Sequence, residues 1–199
     1  MNEITHARFP RQPTQGAEGL PRWRWTLAEF DKMIESGLLT EDDRVELIDG
    51  ELVPMAAKGN RHELVKTELI NWMFRRLGVN EMLTVELGWR PGGDLYVEPD
   101  VVIYGRGPMP SQVPAPDTLL VIEISDSNLR YDLDRKAMIY ASLGVREYRV
   151  IDATTLETTV HLDPAPDGYR NIATVPSHGT VTPHLLPALA LSLGGLAIG

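Results

Sequence analysis

The chain has no cysteine among its 199 residues. That absence removes disulfides, thiolate nucleophiles and Cys-based zinc sites together, and it fits a reducing cytoplasm, the expected location. Any metal must then be held by Asp, Glu, His or carbonyl oxygen. Long apolar runs are also missing. The longest, from Leu185 to the terminus, is interrupted by Pro187, Gly194 and Gly195, and is too short to span a bilayer as a helix, so no membrane partner is expected. Residues 1–22 carry no apolar stretch of the kind a secretory leader needs. The third shortage is of positive charge. Lys and Arg number 19 against 28 Asp and Glu, a net charge of -9, which disfavours a protein that grips nucleic acid by neutralising many phosphates. What remains, 43% hydrophobic and 24% charged residues, is the composition of a globular domain able to bury a core.

Residues 1–22 mix Pro, Gly, Gln and Arg without apolar periodicity and are expected to form a flexible arm, with residues 23–199 as one domain. Thr26 and Glu29 have the spacing of a capping box, with Leu27, Phe30 and Ile34 as the apolar side of a short helix closed by Gly37. Two apolar arms around Asp49-Gly50 predict a hairpin over residues 45–53, because a type I′ turn needs positive φ at both central residues. Val65, Leu69, Trp72, Met73 and Leu77 predict a helix over 62–77, with Glu63, Lys66, Glu68 and Arg75 off the stripe. Strands are predicted at 83–89 and 96–104 around Pro91-Gly92-Gly93, then at 118–125. A helix over 132–143 ends at Gly144, and strands follow at 147–152, 158–162 and 169–174. The order predicts a mixed α/β domain, a sheet braced by helices.

Three polar residues sit where a core argument would not place them. Asp100 interrupts the run from Val97 to Ile103, and strict alternation would put Glu98, Asp100 and Val102 on one face, opposite Val97, Val101 and Ile103. Glu123 lies inside Leu119-Leu-Val-Ile-Glu-Ile124, where a carboxylate is costly unless it is paired or binds a metal. Period two puts Ser125 on its face. Lys136 borders the apolar stripe of its helix, so its stem can pack while its ammonium reaches the sheet. Two carboxylates and a lysine suit a hard divalent cation such as Mg2+, with Mn2+ as a substitute, and in-line attack on phosphorus. Each residue also has a plainer reading: Asp100 as a turn aspartate, Glu123 as half of a buried ion pair, Lys136 as a solvated helix lysine. His62-Glu63 is not a zinc-protease motif, because Lys66 stands where a second histidine is required. No Ser-His-carboxylate arrangement is readable around Ser125 and Ser127.

Pro99-Asp100 followed by a buried Glu123 is similar to the PD-(D/E)XK nuclease pattern, although Ser125 stands where its lysine is expected. The ordered set of Glu46 to Glu51, His62, Pro99-Asp100, Glu123-Ile-Ser125, Tyr131-Asp132 through Lys136, Tyr140-Ala141, Gly144-Val145, Glu147-Tyr148 and Asp167-Gly-Tyr169 resembles the Uma-type restriction endonuclease family of bacteria over roughly residues 25 to 192. The resemblance implies a restriction-endonuclease-like αβββαβ core, a mixed sheet flanked by helices with an added N-terminal helix and hairpin. It also implies metal-dependent cleavage of DNA, with Asp100 and Glu123 as metal ligands and Lys136, moved from strand to helix, as the catalytic lysine. Glu46, His62 and Ser125 are possible additional site residues. The competing reading is a catalytically silent nuclease fold serving as a binding or structural module; a hydrolase of small phosphoesters is a third. Edge strands and an exposed Trp89 would suit a homodimer.

Overall fold

The computed structural model describes residues 23–198; the predicted arm over 1–22 lies outside the described residues. The first helix, α1 (Leu27–Glu35), starts at the expected capping box: the Thr26 hydroxyl accepts from the Glu29 N–H while the Glu29 carboxylate accepts from the Thr26 N–H. Strands β1 (Val45–Ile48) and β2 (Glu51–Pro54) form the predicted antiparallel hairpin. Its turn has Asp49 at φ 51° and Gly50 at φ 74°, as a type I′ turn demands. Helix α2 (Asn60–Phe74) starts two residues earlier than expected and ends three residues sooner.

A six-stranded sheet follows, β3 (Glu81–Val85), β4 (Val101–Gly105), β5 (Thr118–Ser125), β6 (Glu147–Asp152), β7 (Thr158–Ala165) and β8 (Gly168–Val175), hydrogen-bonded in that order. All neighbours are antiparallel except β5 and β6. That one parallel pair needs a crossover, and the helix between them supplies it. This helix, α3 (residues 129–142), is α-helical over Leu129–Tyr131, π-helical over Asp132–Lys136 and α-helical again over Ala137–Ser142. The order α2-β3-β4-β5-α3-β6 is the expected αβββαβ core, with α1 and the hairpin added before it and the β7-β8 hairpin after it.

Each face of the sheet carries its own core. On one side Leu120, Ile122 and Ile124 of β5 and Val101 and Ile103 of β4 pack with Val65, Leu69 and Met73 of α2. The C-terminal segment completes that layer through Leu186, Leu189, Leu193 and Ile198. On the other side Val121, Val102, Tyr104, Tyr148 and Val150 pack with Ala137, Tyr140 and Ala141 of α3. No helix among the described residues is long and apolar enough to cross a membrane.

Three expectations are corrected. The strand forecast for 96–104 is broken: Tyr96 and Val97 form only isolated bridges, and regular β4 begins after Asp100. Alternation therefore fails across Pro99-Asp100, and Val97 packs on the Val102 face rather than with Val101 and Ile103. Lys66 is not on the solvent side of α2 but buried with His62 along its inward stripe. Trp89 is fully buried; its indole N–H donates to the Val113 carbonyl at 2.7 Å, and its ring lies 6.0 Å from that of Tyr140, so it offers no dimer surface.

The hairpin is held to the chain before α1 through Gly50. Trp25 N–H donates to its carbonyl at 2.8 Å, and a Cβ built on Gly50 would stand 2.7 Å from Arg24 Cβ. Gly50→Ala is expected to cost at least about 1–2 kcal/mol, the penalty of a left-handed residue with a Cβ, because this contact is with the root of a side chain and not its mobile end. Urea denaturation of the two proteins measures it; equal midpoints would show that the turn relaxes freely.

Candidate active site

Asp100, Glu123 and Lys136 meet in one cleft of about 320 Å³, between the hairpin, the start of α2, the end of β5 and α3. Period two along β5 sends Ile122 and Ile124 to the α2 side and leaves Glu123 and Ser125 on the α3 side. There the Lys136 ammonium donates to Glu123 Oε1 at 3.0 Å and to Glu46 Oε1 at 3.1 Å, and lies 3.9 Å from Asp132 Oδ1. Tyr140 is a core residue whose hydroxyl donates to the same carboxylate, Glu123 Oε1, at 3.2 Å. Lys136 is itself buried and is not a solvated helix residue. The partner of Glu123 is thus a lysine.

Asp100 stands where the β4 ladder has ended, and its carboxylate takes over as acceptor for the next strand: Ile124 N–H donates to Asp100 Oδ2 at 2.8 Å. The Lys58 ammonium donates to Oδ1 at 2.8 Å, and His62 Nε2 lies 3.0 Å from Oδ1. His62, on the first turn of α2, is buried and faces the cleft. Glu46 of β1 is also buried, accepting from the Glu98 N–H at 3.0 Å as well as from Lys136. The Ser125 hydroxyl is buried in the same wall without a hydrogen bond of ordinary length. All three possible additional residues therefore line the cleft.

Lys58 and Glu86 escaped sequence reasoning. Lys58 follows no apolar period, and Glu86 sits in a positive-φ bend after β3. They close a ring of charge. Lys58 bridges Asp100 and Glu86, Lys66 bridges Glu86 and Glu63, and Glu63 lies 3.2 Å from His62 Nδ1, which returns the ring to Asp100. The signal available was only that His62 and Lys66 share a helical face with Val65 and Leu69.

The two carboxylates are pushed in opposite directions. Burial drives Asp100 up, but the His62 contact and the Lys58 ammonium prevail and hold it at about 2. Burial drives Glu123 up to about 8; the Lys136 charge opposes this, while Asp100, Asp132 and Glu46 add to it. Lys136 is penalised by burial, yet Glu123, Glu46 and Asp132 hold its pKa well above the ordinary lysine range. Six carboxyl groups line the cleft, Glu46, Glu98, Asp100, Glu123, Asp126 and Asp132, against two ammoniums. Among the described residues, no three His, Asp or Glu side chains converge as a ready-made metal cluster. The carboxylates of Asp100 and Glu123 nevertheless offer hard oxygen donors, which fit an ion that keeps most of its waters and takes one or two carboxylates.

An αβββαβ core whose one parallel strand pair is joined by a crossover helix has the restriction-endonuclease-like fold that the resemblance implies. Residues 27–194 match the model of the Uma2 family, described as "Putative restriction endonuclease", and the chain belongs to that family. Among solved structures, it is similar to a "putative nuclease belonging to DUF820" from Anabaena variabilis, with a TM-score of 0.69 and 17% identity, covering 85% of this chain and 95% of that one. At that identity the likeness is one of fold. No curated protein matches.

Two expectations follow from the charges. Lys136→Met strands Glu46 and Glu123 out of water and is expected to cost about 3–5 kcal/mol, the range for removing one partner of a buried pair. Adding Glu123→Gln should recover much of that loss in urea denaturation; strict additivity would show that the pair is not coupled. The second concerns acid. Burial would raise Glu86, but Lys58 and Lys66 hold it at about 2, against an ordinary 4.5. A depressed carboxylate contributes its stability above the unfolded value and loses it as pH falls through the folded one, so this contribution fades from about pH 4.5 towards 2. Its side chain is 42% exposed, so solvent screening keeps the contribution modest. Glu86→Gln should flatten that part of a stability-against-pH curve, and an identical curve would show the pair to be silent.

Proposed function

We propose that the protein is a Mg2+-dependent DNA endonuclease, in which Asp100 and Glu123 hold the cation and Lys136 is the catalytic lysine. The observation that carries this reading is the convergence of these three side chains, from the bend just before β4, from β5 and from the crossover helix, on one cleft. The chemistry such an ion supplies is charge neutralisation at the phosphate and activation of water.

The chain's own residues do the rest. Hydrolysis adds a water oxygen to phosphorus, breaks a phosphorus–oxygen bond of the backbone and leaves an alkoxide that takes up a proton. Negative charge grows on the phosphoryl oxygens during attack. Lys136 stabilises that charge with an ammonium that Glu46 and Glu123 already hold in place, so little reorganisation is needed. Tyr140 fixes the carboxylate of Glu123 through its hydroxyl, and the Ile124 N–H fixes that of Asp100. Glu46, by pairing with Lys136, is a positioning residue; His62 does the same for Asp100.

One observation favours a second reading, a silent scaffold: each proposed ligand is already paired with a lysine of the protein, Asp100 with Lys58 and Glu123 with Lys136. Purified protein with Mg2+ or Mn2+ and plasmid or oligonucleotide DNA separates the two. Cleavage should stop with a chelator, and should fall by about 10²–10³ or more in Asp100→Ala, Glu123→Ala and Lys136→Ala, the scale of losing an electrostatic contact to the transition state. Cleavage that survives all three would overturn the site, and absence of cation binding in calorimetry would favour the scaffold.

A further inference from the structure

The cleft has two lysines, and only one has a part in the reaction so far. Lys136 has that part: it is buried, with Glu123, Glu46 and Asp132 holding its ammonium in place. Lys58 is placed differently. It stands on the five-residue link 55–59 between β2 and α2, and its side chain keeps 18% of its surface exposed. Its ammonium lies 2.8 Å from Asp100 Oδ1 and 2.6 Å from Glu86 Oε1, and the Glu86 side chain is 42% exposed. The second contact is therefore a surface ion pair, worth little and readily given up. Asp100 does not depend on Lys58 alone, since the Ile124 N–H and His62 remain on it.

A phosphodiester strand entering a cleft with six carboxyl groups is repelled unless cations meet it. Of the two lysines lining the cleft, Lys58 is the more open to solvent, at 18% against 9% for Lys136, and has a flexible stem and a partner it can leave. Resting on the endonuclease reading, we infer that Lys58 is a substrate-binding residue. Its ammonium rests on Asp100 and, where another cation takes over that carboxylate, pairs with a backbone phosphate of the DNA. The same contact thus keeps Asp100 neutralised at rest and supplies positive charge to the strand in the complex.

The test uses the full chain, a fluorescein-labelled duplex of roughly 20 base pairs and Ca2+ in place of Mg2+, with intact DNA verified on a gel. Binding is read by polarisation across a salt series. Loss of a single phosphate contact predicts that Lys58→Met binds about tenfold more weakly and lowers the slope of log affinity against log salt by about one. Lys58→Arg should retain the slope, and in calorimetry without DNA, Lys58→Met should take Mn2+ at least as tightly as the unaltered protein. Wild-type affinity and slope in Lys58→Met would overturn the inference, and so would weaker binding with an unchanged slope, which marks a structural role. If the unaltered protein takes neither Mn2+ nor DNA, the endonuclease reading itself falls, and this inference with it.

Discussion

The Lys136 ammonium lies out of water between Glu123 on β5, Glu46 on β1 and Asp132 on its own helix, so it ties the sheet, the hairpin and the crossover helix together by charge. Such a contact is not a cheap source of stability, because desolvating the ions opposes most of what their attraction returns. Its effect is specificity of arrangement. A one-residue slip of β5 would turn Glu123 into the apolar layer of Val65, Leu69 and Ile103, away from Lys136, and would turn Ile122 and Ile124 towards the cleft. The register of the sheet and the existence of the cleft are thus one condition.

The crossover helix meets that condition with an irregular backbone. Residues 132–136 form a π turn, a rare geometry that proteins tend to keep at functional sites, and its first and last members, Asp132 and Lys136, are both buried on the cleft. The helix then returns to regular geometry for Ala137, Tyr140 and Ala141, which fill the core. Tyr148 supports the irregular turn by donating its hydroxyl to the Asp132 carbonyl at 3.1 Å. One element serves both packing and chemistry because the change in pitch separates the two along its length.

What was legible in the chain was what neighbours in sequence decide. The capping box at Thr26, the Asp49-Gly50 turn, the span of β5 and the lone charge of Glu123 within it all follow from local pattern, and so did the order of helices and strands. The break before β4 was less visible: Pro99 and Asp100 are compatible with either a strand or a bend, and the choice is made by Ile124, which needs an acceptor where the ladder stops. The inward stripe of α2 was misread because two of its buried positions, His62 and Lys66, are polar, and a periodicity built on apolar residues cannot register side chains buried by ion pairing. Lys58 and the covering role of Leu186, Leu189 and Leu193 depend on contacts far along the chain, which no local signal carries. The association of Asp100, Glu123 and Lys136 was reached through ordered motifs; their separate patterns left plainer readings open.

The surplus of acid first weighed against any nucleic-acid role. The structure shows that part of it is not a surface property: Glu46, Asp100, Glu123 and Asp132 are buried, and are balanced within the protein by lysines and, at Glu123, by a carboxyl pushed towards its protonated form. A polyanion approaching this cleft meets a field that only added cations can reverse, because a bound divalent ion is the largest local charge in such a site and inverts its sign. Under the proposed function, substrate admission and catalysis therefore share one requirement. On that reading the carboxylates that repel a bare phosphate are the groups that would hold the cation, so one feature of the cleft, its buried acidity, sets both the cost of admitting the strand and the means of offsetting it.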